Sequence, residues 1–294
     1  MEQIRNEYLS VTINNIGAEL WSIQDINGTE YLWQGDARYW DGKAINLFPY
    51  IARLTEGKYV LNGTTYEMDI HGFTKDTVFQ TVNKSESAVT FRMQDTAETF
   101  QQYPFRFVFE ISYRLDRNTI VVTYSVKNKD TKTMHFGLGG HPGFNVPLEE
   151  GLHFEDYYLE FKEQKEPKRV RFSDDHFVLP GTDVFELKND RYLPLNHSMF
   201  DDDAIVLTDM AQSVLLKSDK GNKGIRVTYP NMKYLGIWHC MYEEAPYICI
   251  EPWSSLPSRK DIIEDLAVQP DLISLSAQEK YENSFMIELI RREQ

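Results

Sequence analysis

Phe105, Phe107, Phe109, Ile111, Tyr113 and Leu115 alternate with smaller or polar residues. A period of two belongs to a strand with one face in a core, and helical spacing fits it poorly. The turn residues Asp116-Arg117-Asn118 follow, then a β-branched run over 120–126. The two runs therefore predict an antiparallel hairpin.

Asn27-Gly28 and Asn62-Gly63 repeat the theme, since both pairs suit the positive φ angles of tight hairpin turns. Further strands are expected over 9–13, 157–161, 205–208, 213–217, 225–229, 247–250 and 284–290. Helical signals are scarce; residues 261–266 predict one or two turns, with Asp261 as the cap. The charged stretch KEQKEPKRVR, 162–171, is the best candidate boundary, and it reads more simply as a solvated loop around Pro167. There is no low-complexity linker and no fixed-period repeat. The expectation is one continuous all-β domain over 1–294, a large antiparallel β-sandwich with more than seven strands and curved sheets.

Charge narrows the partners. The formal net charge of −14 opposes nonspecific binding to nucleic acid or to an anionic membrane and favours a neutral small molecule. The amino terminus lacks the apolar core of a secretory signal, and no segment approaches a membrane span. Cys240 and Cys249 suit two reduced thiols packed in strands, so a cytoplasmic protein is expected.

Four residues stand in surroundings that invite chemistry, each with a structural alternative. His141 lies among glycines in FGLGGHPGFNVPL and is expected in a tight, exposed turn, as a functional imidazole or a surface histidine. Arg53, after the apolar run PYIA, reads as a half-buried guanidinium donating to hydroxyls or as an internal salt bridge. His71, before Gly72, is a pocket residue or a turn histidine bonded to its own backbone. Glu251 follows the run APYICI and is expected at the end of a buried strand. There it is a desolvated base with a raised pKa, or a glutamate paired with an arginine. Trp238 and Trp253 serve either as a sugar-facing wall or as core.

Other chemistries are disfavoured. His135 and His141 have no cysteine pair, His-Glu-x-x-His run or dense carboxylate cluster beside them, so no metal is expected. A Gly-x-Ser-x-Gly nucleophile turn is absent, as is a phosphate-binding glycine loop opening a helix.

In order and wording, NLFPYIARLTEGKY (46–59), DIHGFTKD (69–76), YPFRF (103–107), GGHPGFNVPL (139–148), MFDDDAIVL (199–207) and LGIWHCMYEEAPYICIEPW (235–253) resemble the aldose 1-epimerase (galactose mutarotase) family, especially its LacX-like branch. The resemblance implies a β-supersandwich and an isomerase that exchanges the α and β anomers of a free hexose such as galactose or glucose, with no metal or organic cofactor. It also implies roles. His141 would protonate the ring oxygen and Glu251 would take the proton of the anomeric hydroxyl, from opposite sides of the anomeric centre. Arg53 and His71 would hold the substrate, and Asp203 would bind sugar hydroxyls, with Asp202 the alternative register. The family often has a glycine before the arginine where this chain has Ala52. Two other functions stay open: epimerisation of a hexose 6-phosphate, which needs added basic residues at the pocket, and a sugar-binding or regulatory β-sandwich without turnover.

Overall fold

The computed structural model describes residues 1–162 and 165–292. The hairpin read from the alternating run lies at the heart of a nine-stranded sheet. Phe107–Asp116 pairs with Thr119–Asn128 in unbroken antiparallel register, from Asp116 opposite Thr119 to Phe107 opposite Asn128. Phe107, Phe109, Ile111, Tyr113 and Leu115 are all buried and their neighbours are not, as the period of two requires. Outwards from Phe107–Asp116 lie Ala88–Gln94 and Gln80–Lys84. On the other side of the hairpin follow Lys280–Arg291, Lys223–Thr228, Ser213–Ser218, Tyr157–Phe161 and Tyr192–Pro194.

Facing it is a seven-stranded antiparallel sheet in the order Val178–Val184, Lys168–Phe172, Ile205–Thr208, Tyr234–Trp238, Tyr247–Trp253, Gly139–Asn145 and Ala44–Leu47. Apolar side chains from both sheets, such as Phe109 and Ile111 with Ile248 and Ile250, share one core cluster. Phe48, just beyond Ala44–Leu47, stacks on Phe109 with ring centroids 4.5 Å apart. The Tyr124 hydroxyl donates to Asn46 Oδ1 at 2.7 Å, so a polar group buried between the sheets is satisfied. The fold is therefore the antiparallel β-sandwich expected.

Alternation also decides what the seven-stranded sheet does with its second face. In Tyr247–Trp253, Ile248 and Ile250 enter the core between the sheets. Tyr247, Cys249, Glu251 and Trp253 then fall on the opposite face, and all seven residues are buried. A strand buried on both faces delivers a carboxylate into a covered site, which a solvated outer face could not do.

Several local expectations need correction. Residues 261–266 form no helix: Asp261 has a φ of 58°, and Glu264–Asp265 makes a short parallel pairing with Tyr59 and Val60. Glu264 is buried and accepts from the Arg259 backbone N–H and, through both oxygens, from its guanidinium, which a helix cap would forgo. The α-helix instead covers Ala97–Gln102, started by Thr96 and Thr99, whose side chains cap each other's backbone N–H. Asn62 and Gly63 both have positive φ, as expected, whereas in Asn27-Gly28 only Gly28 does. There Asp25 Oδ1 takes the backbone N–H groups of Asn27 and Thr29 and shapes the turn instead. Within the charged stretch, 163–164 lie outside the described residues and Lys168–Phe172 is a strand rather than a loop.

Candidate active site

The largest correction concerns His141, which is no exposed turn. It sits buried inside the strand Gly139–Asn145. The glycines around it have ordinary φ angles and serve close approach: a Cβ on Gly140 would lie 2.9 Å from the Phe285 ring, and one on Gly143 3.1 Å from the Trp40 ring. Glycine next to an aromatic reads the same in sequence whether the chain turns or is pressed flat.

Strand pairing then brings the two principal candidates together. The register that sets Gly139 opposite Trp253 and Gly143 opposite Cys249 places His141 directly across from Glu251. Glu251 is mid-strand, not at a strand end, because the strand continues to Trp253. His141 Nε2 lies 3.2 Å from Glu251 Oε2, without hydrogen-bond geometry; both that oxygen and His141 Nδ1 are buried with no hydrogen-bond partner. Native proteins seldom leave such groups unpaired, so this floor is either costly or used.

Burial disfavours charge on both groups. It pulls the His141 imidazole from 6.5 down to about 3. It pushes the Glu251 carboxyl well above 4.5, and the negative charge of Asp203 adds to the rise. Burial thus favours a pair that carries a single proton, on the carboxyl or, after transfer across the 3.2 Å gap, on the imidazole.

Three further groups complete the cavity. The Ala52 N–H donates to His71 Nδ1 at 3.2 Å, and the His71 N–H returns a bond to the Ala52 carbonyl at 3.0 Å. Because Nδ1 accepts, the neutral ring carries its proton on Nε2 and is a hydrogen-bond donor. Burial, then the nearby His141, Lys75 and Arg53, hold its pKa well below 6.5, so it stays neutral. Its ring meets that of His141 edge to face at 5.5 Å. The Arg53 guanidinium lines the cavity and makes no hydrogen bond or ion pair among the described residues, so the internal salt bridge is not formed; its backbone carbonyl accepts from the Ser258 N–H at 2.9 Å. Asp203 accepts from Trp238 Nε1 at 2.9 Å through Oδ1, while its Oδ2 lies 2.9 Å from His176 Nδ1.

These residues share one cavity of about 680 Å³ with Asp202, Trp21, Trp40, Trp238 and Trp253. Trp40 and Trp238 pack around His141 with ring centroids 4.8 and 5.6 Å away. All five sequence candidates, Arg53, His71, His141, Asp203 and Glu251, are thus brought together. Trp40 and His176 were not singled out; neither has a local signal, since each reaches the cavity only through the packing of distant loops.

Such an arrangement can move protons at two neighbouring oxygens of a polar ligand, with a neutral donor and a fixed cation beside them. The sequence profile described as aldose 1-epimerase matches residues 2–263. The chain belongs to the aldose 1-epimerase family. The plasmid-encoded protein LacX of Lactococcus lactis is 34% identical over 289 residues, covering 95% of this chain and 96% of that protein. A galactose mutarotase related enzyme from Lactobacillus acidophilus has a TM-score of 0.94 at 30% identity, covering 99% of this chain and 97% of that one. A galactose mutarotase-like protein from Lactobacillus casei gives 0.93 at 31%, covering 98% and 99%. Membership of the aldose 1-epimerase family implies a sugar-type substrate. At Ala52, where the resemblance implies a glycine, φ is 53°, the left-handed shape that glycine adopts freely.

Proposed function

We propose that this aldose 1-epimerase interconverts the α and β anomers of a free hexose such as galactose or glucose through the His141 and Glu251 pair. The observation that carries the reading is their side-by-side placement, 3.2 Å apart on paired strands. The sequence reading put them on opposite sides of the anomeric centre. Adjacent placement suits the chemistry better, because the ring oxygen and the anomeric hydroxyl are bonded to the same carbon.

The proton inventory closes. Glu251 as carboxylate takes the anomeric hydroxyl proton while imidazolium His141 gives one to the ring oxygen, the C1 to ring-oxygen bond breaks and an open aldehyde forms. Rotation about C1–C2 presents the other carbonyl face. Closure returns a proton from Glu251 to the carbonyl oxygen and one from the attacking hydroxyl to His141. The pair holds one proton in total before and after ring opening, the state that burial favours. Acid and base groups in place each contribute about 10²- to 10⁴-fold. Neutral His71 offers its Nε2–H and Arg53 a fixed positive charge to the oxygens on which negative charge develops. Asp203, fixed by Trp238 and His176, accepts from sugar hydroxyls.

Electrostatics favour a free sugar over its phosphate. Arg53 and Lys75 are the cavity's Arg and Lys side chains, Lys75 is paired with Asp76, and Glu19, Asp41, Asp202 and Asp203 also line the wall. A phosphate dianion would meet more negative charge than positive.

Two coarser readings accompany this one. The whole chain serves as a single unit, since the late strand Lys280–Arg291 is central in the larger sheet, between Thr119–Asn128 and Lys223–Thr228. A reducing, cytoplasmic setting suits the free thiols of Cys240 and Cys249; among the described residues no helix is long and apolar enough to cross a membrane.

Polarimetry tests the function. Pure α-glucose or α-galactose should reach its equilibrium rotation faster with the protein than without it. A hexose 6-phosphate relaxing much faster than either would favour the phosphosugar reading, and no acceleration of any aldose would leave a binding protein.

A further inference from the structure

We propose that the cavity floor is also an inhibitory site for a thiophilic divalent cation such as Zn²⁺, held by His141, Glu251 and Cys249. Cys249 and Glu251 are two residues apart on one face of Tyr247–Trp253, and His141 lies across the strand pair. One ligand atom from each lies within 4.8 Å of the other two, and all three residues are buried. The His141–Glu251 spacing is close to that of a zinc pair, since nitrogen and oxygen ligands about 2.0–2.2 Å from a tetrahedral zinc stand roughly 3.3–3.6 Å apart, while the Cys249 sulfur would have to close on the ion to roughly 3.6 Å from the other two ligands. His141 Nε2 and Glu251 Oε2 are separated by 3.2 Å.

A second observation makes the cluster more than a coincidence of residue types. Glu251 is 1% exposed and its Oε2 has no hydrogen-bond partner, so coordination would break no hydrogen bond there. Cys249 is a free thiol. His141 and Glu251 line the cavity whereas Cys249 does not, so the fourth tetrahedral position would face the cavity for water. Nitrogen, oxygen and sulfur donors together suit zinc rather than magnesium or calcium. His135, the other histidine weighed as a ligand, is bonded elsewhere, to Ser274 Oγ at 2.9 Å.

The consequence for catalysis rests on the proton-transfer role given to His141 and Glu251. A bound cation occupies the imidazole lone pair and the carboxylate, and two protons are released to solvent, the thiol proton of Cys249 and the single proton held by the His141 and Glu251 pair. Neither catalytic group can then exchange a proton with the sugar. Inhibition is reversible by a chelator and competitive with substrate.

Two measurements test the site, one independent of turnover. Co²⁺ added to the sugar-free enzyme should produce a near-ultraviolet thiolate-to-cobalt absorption band that Zn²⁺ displaces. Zn²⁺ alone should slow the mutarotation of α-glucose. Cys249→Ala, and Cys249→Ser as a closer match in volume, should keep mutarotation without metal and lose the Co²⁺ band. Their apparent Zn²⁺ inhibition constant should rise by at least about 10- to 100-fold, the loss that even outer partners of a metal site produce. No Co²⁺ band with the wild type, equal Zn²⁺ inhibition of wild type and variants, or a band without inhibition would each overturn the proposal. Failure of the mutarotase reading alone would leave the band intact.

Discussion

His141 and Glu251 lie in paired strands of the seven-stranded sheet, whereas Ala52, His71, His176 and Asp203 around them all have φ angles between 53° and 69°. The floor and the rim of one cavity are thus held by different means. On the floor, regular backbone fixes the geometry and the cost lies in desolvated, unpaired polar groups. On the rim, His71, Asp203 and His176 have polar partners and the cost lies in left-handed backbone, about 1–2 kcal/mol for each such residue. In the proposed mechanism the difference is a division of labour: the groups assigned to exchange protons sit on the stiff ladder, and those assigned to orient hydroxyls sit on loops that close around it.

If that division is right, the largest effects come from the floor. Glu251→Gln should lower kcat by about 10²- to 10⁴-fold with little change in KM. It should not destabilise the protein, and pH tells why. The folded pKa of Glu251 is raised above its ordinary 4.5, so wild-type stability falls as pH rises from 4.5 towards the folded value, where the unfolded carboxyl ionises first. Glutamine has no such loss, so the Tm difference, variant minus wild type, should grow with pH from 4.5 upwards. A variant whose Tm stays below wild type across that range would break the account of the floor.

Rim substitutions should cost less and act on binding. Asp203→Ala removes hydrogen bonding to the sugar hydroxyls, worth about 1.5–3 kcal/mol where one partner is charged, or roughly 10- to 150-fold in kcat/KM, mainly through KM. Steady-state kinetics over a range of sugar concentration separates the two. A kcat loss as deep as that of Glu251→Gln, at unchanged KM, would erase the distinction between floor and rim.

The pH profile sharpens it further. His141 is lowered to about 3 and His71 well below 6.5, so neither gains a proton at the ordinary imidazole pKa in the free enzyme. The acid fall of kcat/KM, caused by a second proton on the pair, should therefore lie well below pH 6.5. The alkaline fall marks loss of the single proton, at a pH set by the raised Glu251 carboxyl. An acid limb centred at 6.5 would contradict the burial of the floor.

The smallest effect tests rim strain alone. Ala52→Gly relieves about 1–2 kcal/mol of left-handed backbone and gives back about 0.5–1 kcal/mol in unfolded-chain entropy. A Tm gain of up to about 3 °C with mutarotation retained is expected. A loss of stability would show that the Ala52 methyl packs to more effect than its backbone suffers.

What the sequence disclosed follows the same line. Period-two alternation made the hairpin of Phe107–Asp116 and Thr119–Asn128 readable, because burial on one face writes itself into the residues. Glu251 was readable from the apolar run before it, though its strand runs to Trp253 and the group beside it is His141, not an arginine. The environment of His141 was misread because its glycines answer to Phe285 and Trp40, which are far away in sequence. The pattern around Asp261 favoured a helix start, but the buried bond between Glu264 and Arg259 overrides it. Trp40 and His176 had no local signal, because loops specify only what they meet. Of the adjacent aspartates both line the cavity, and Asp203 is the one fixed by Trp238 and His176.

The central claim is that His141 and Glu251 work as one proton-transferring unit. The most direct measurement is the relaxation of α-galactose or α-glucose by polarimetry for wild type, His141→Asn, Glu251→Gln and the double variant. Groups that act as a unit give non-additive losses, so the double variant should be no more than a few-fold slower than the worse single. Losses that multiply in the double variant, or substantial activity in Glu251→Gln, would contradict the account.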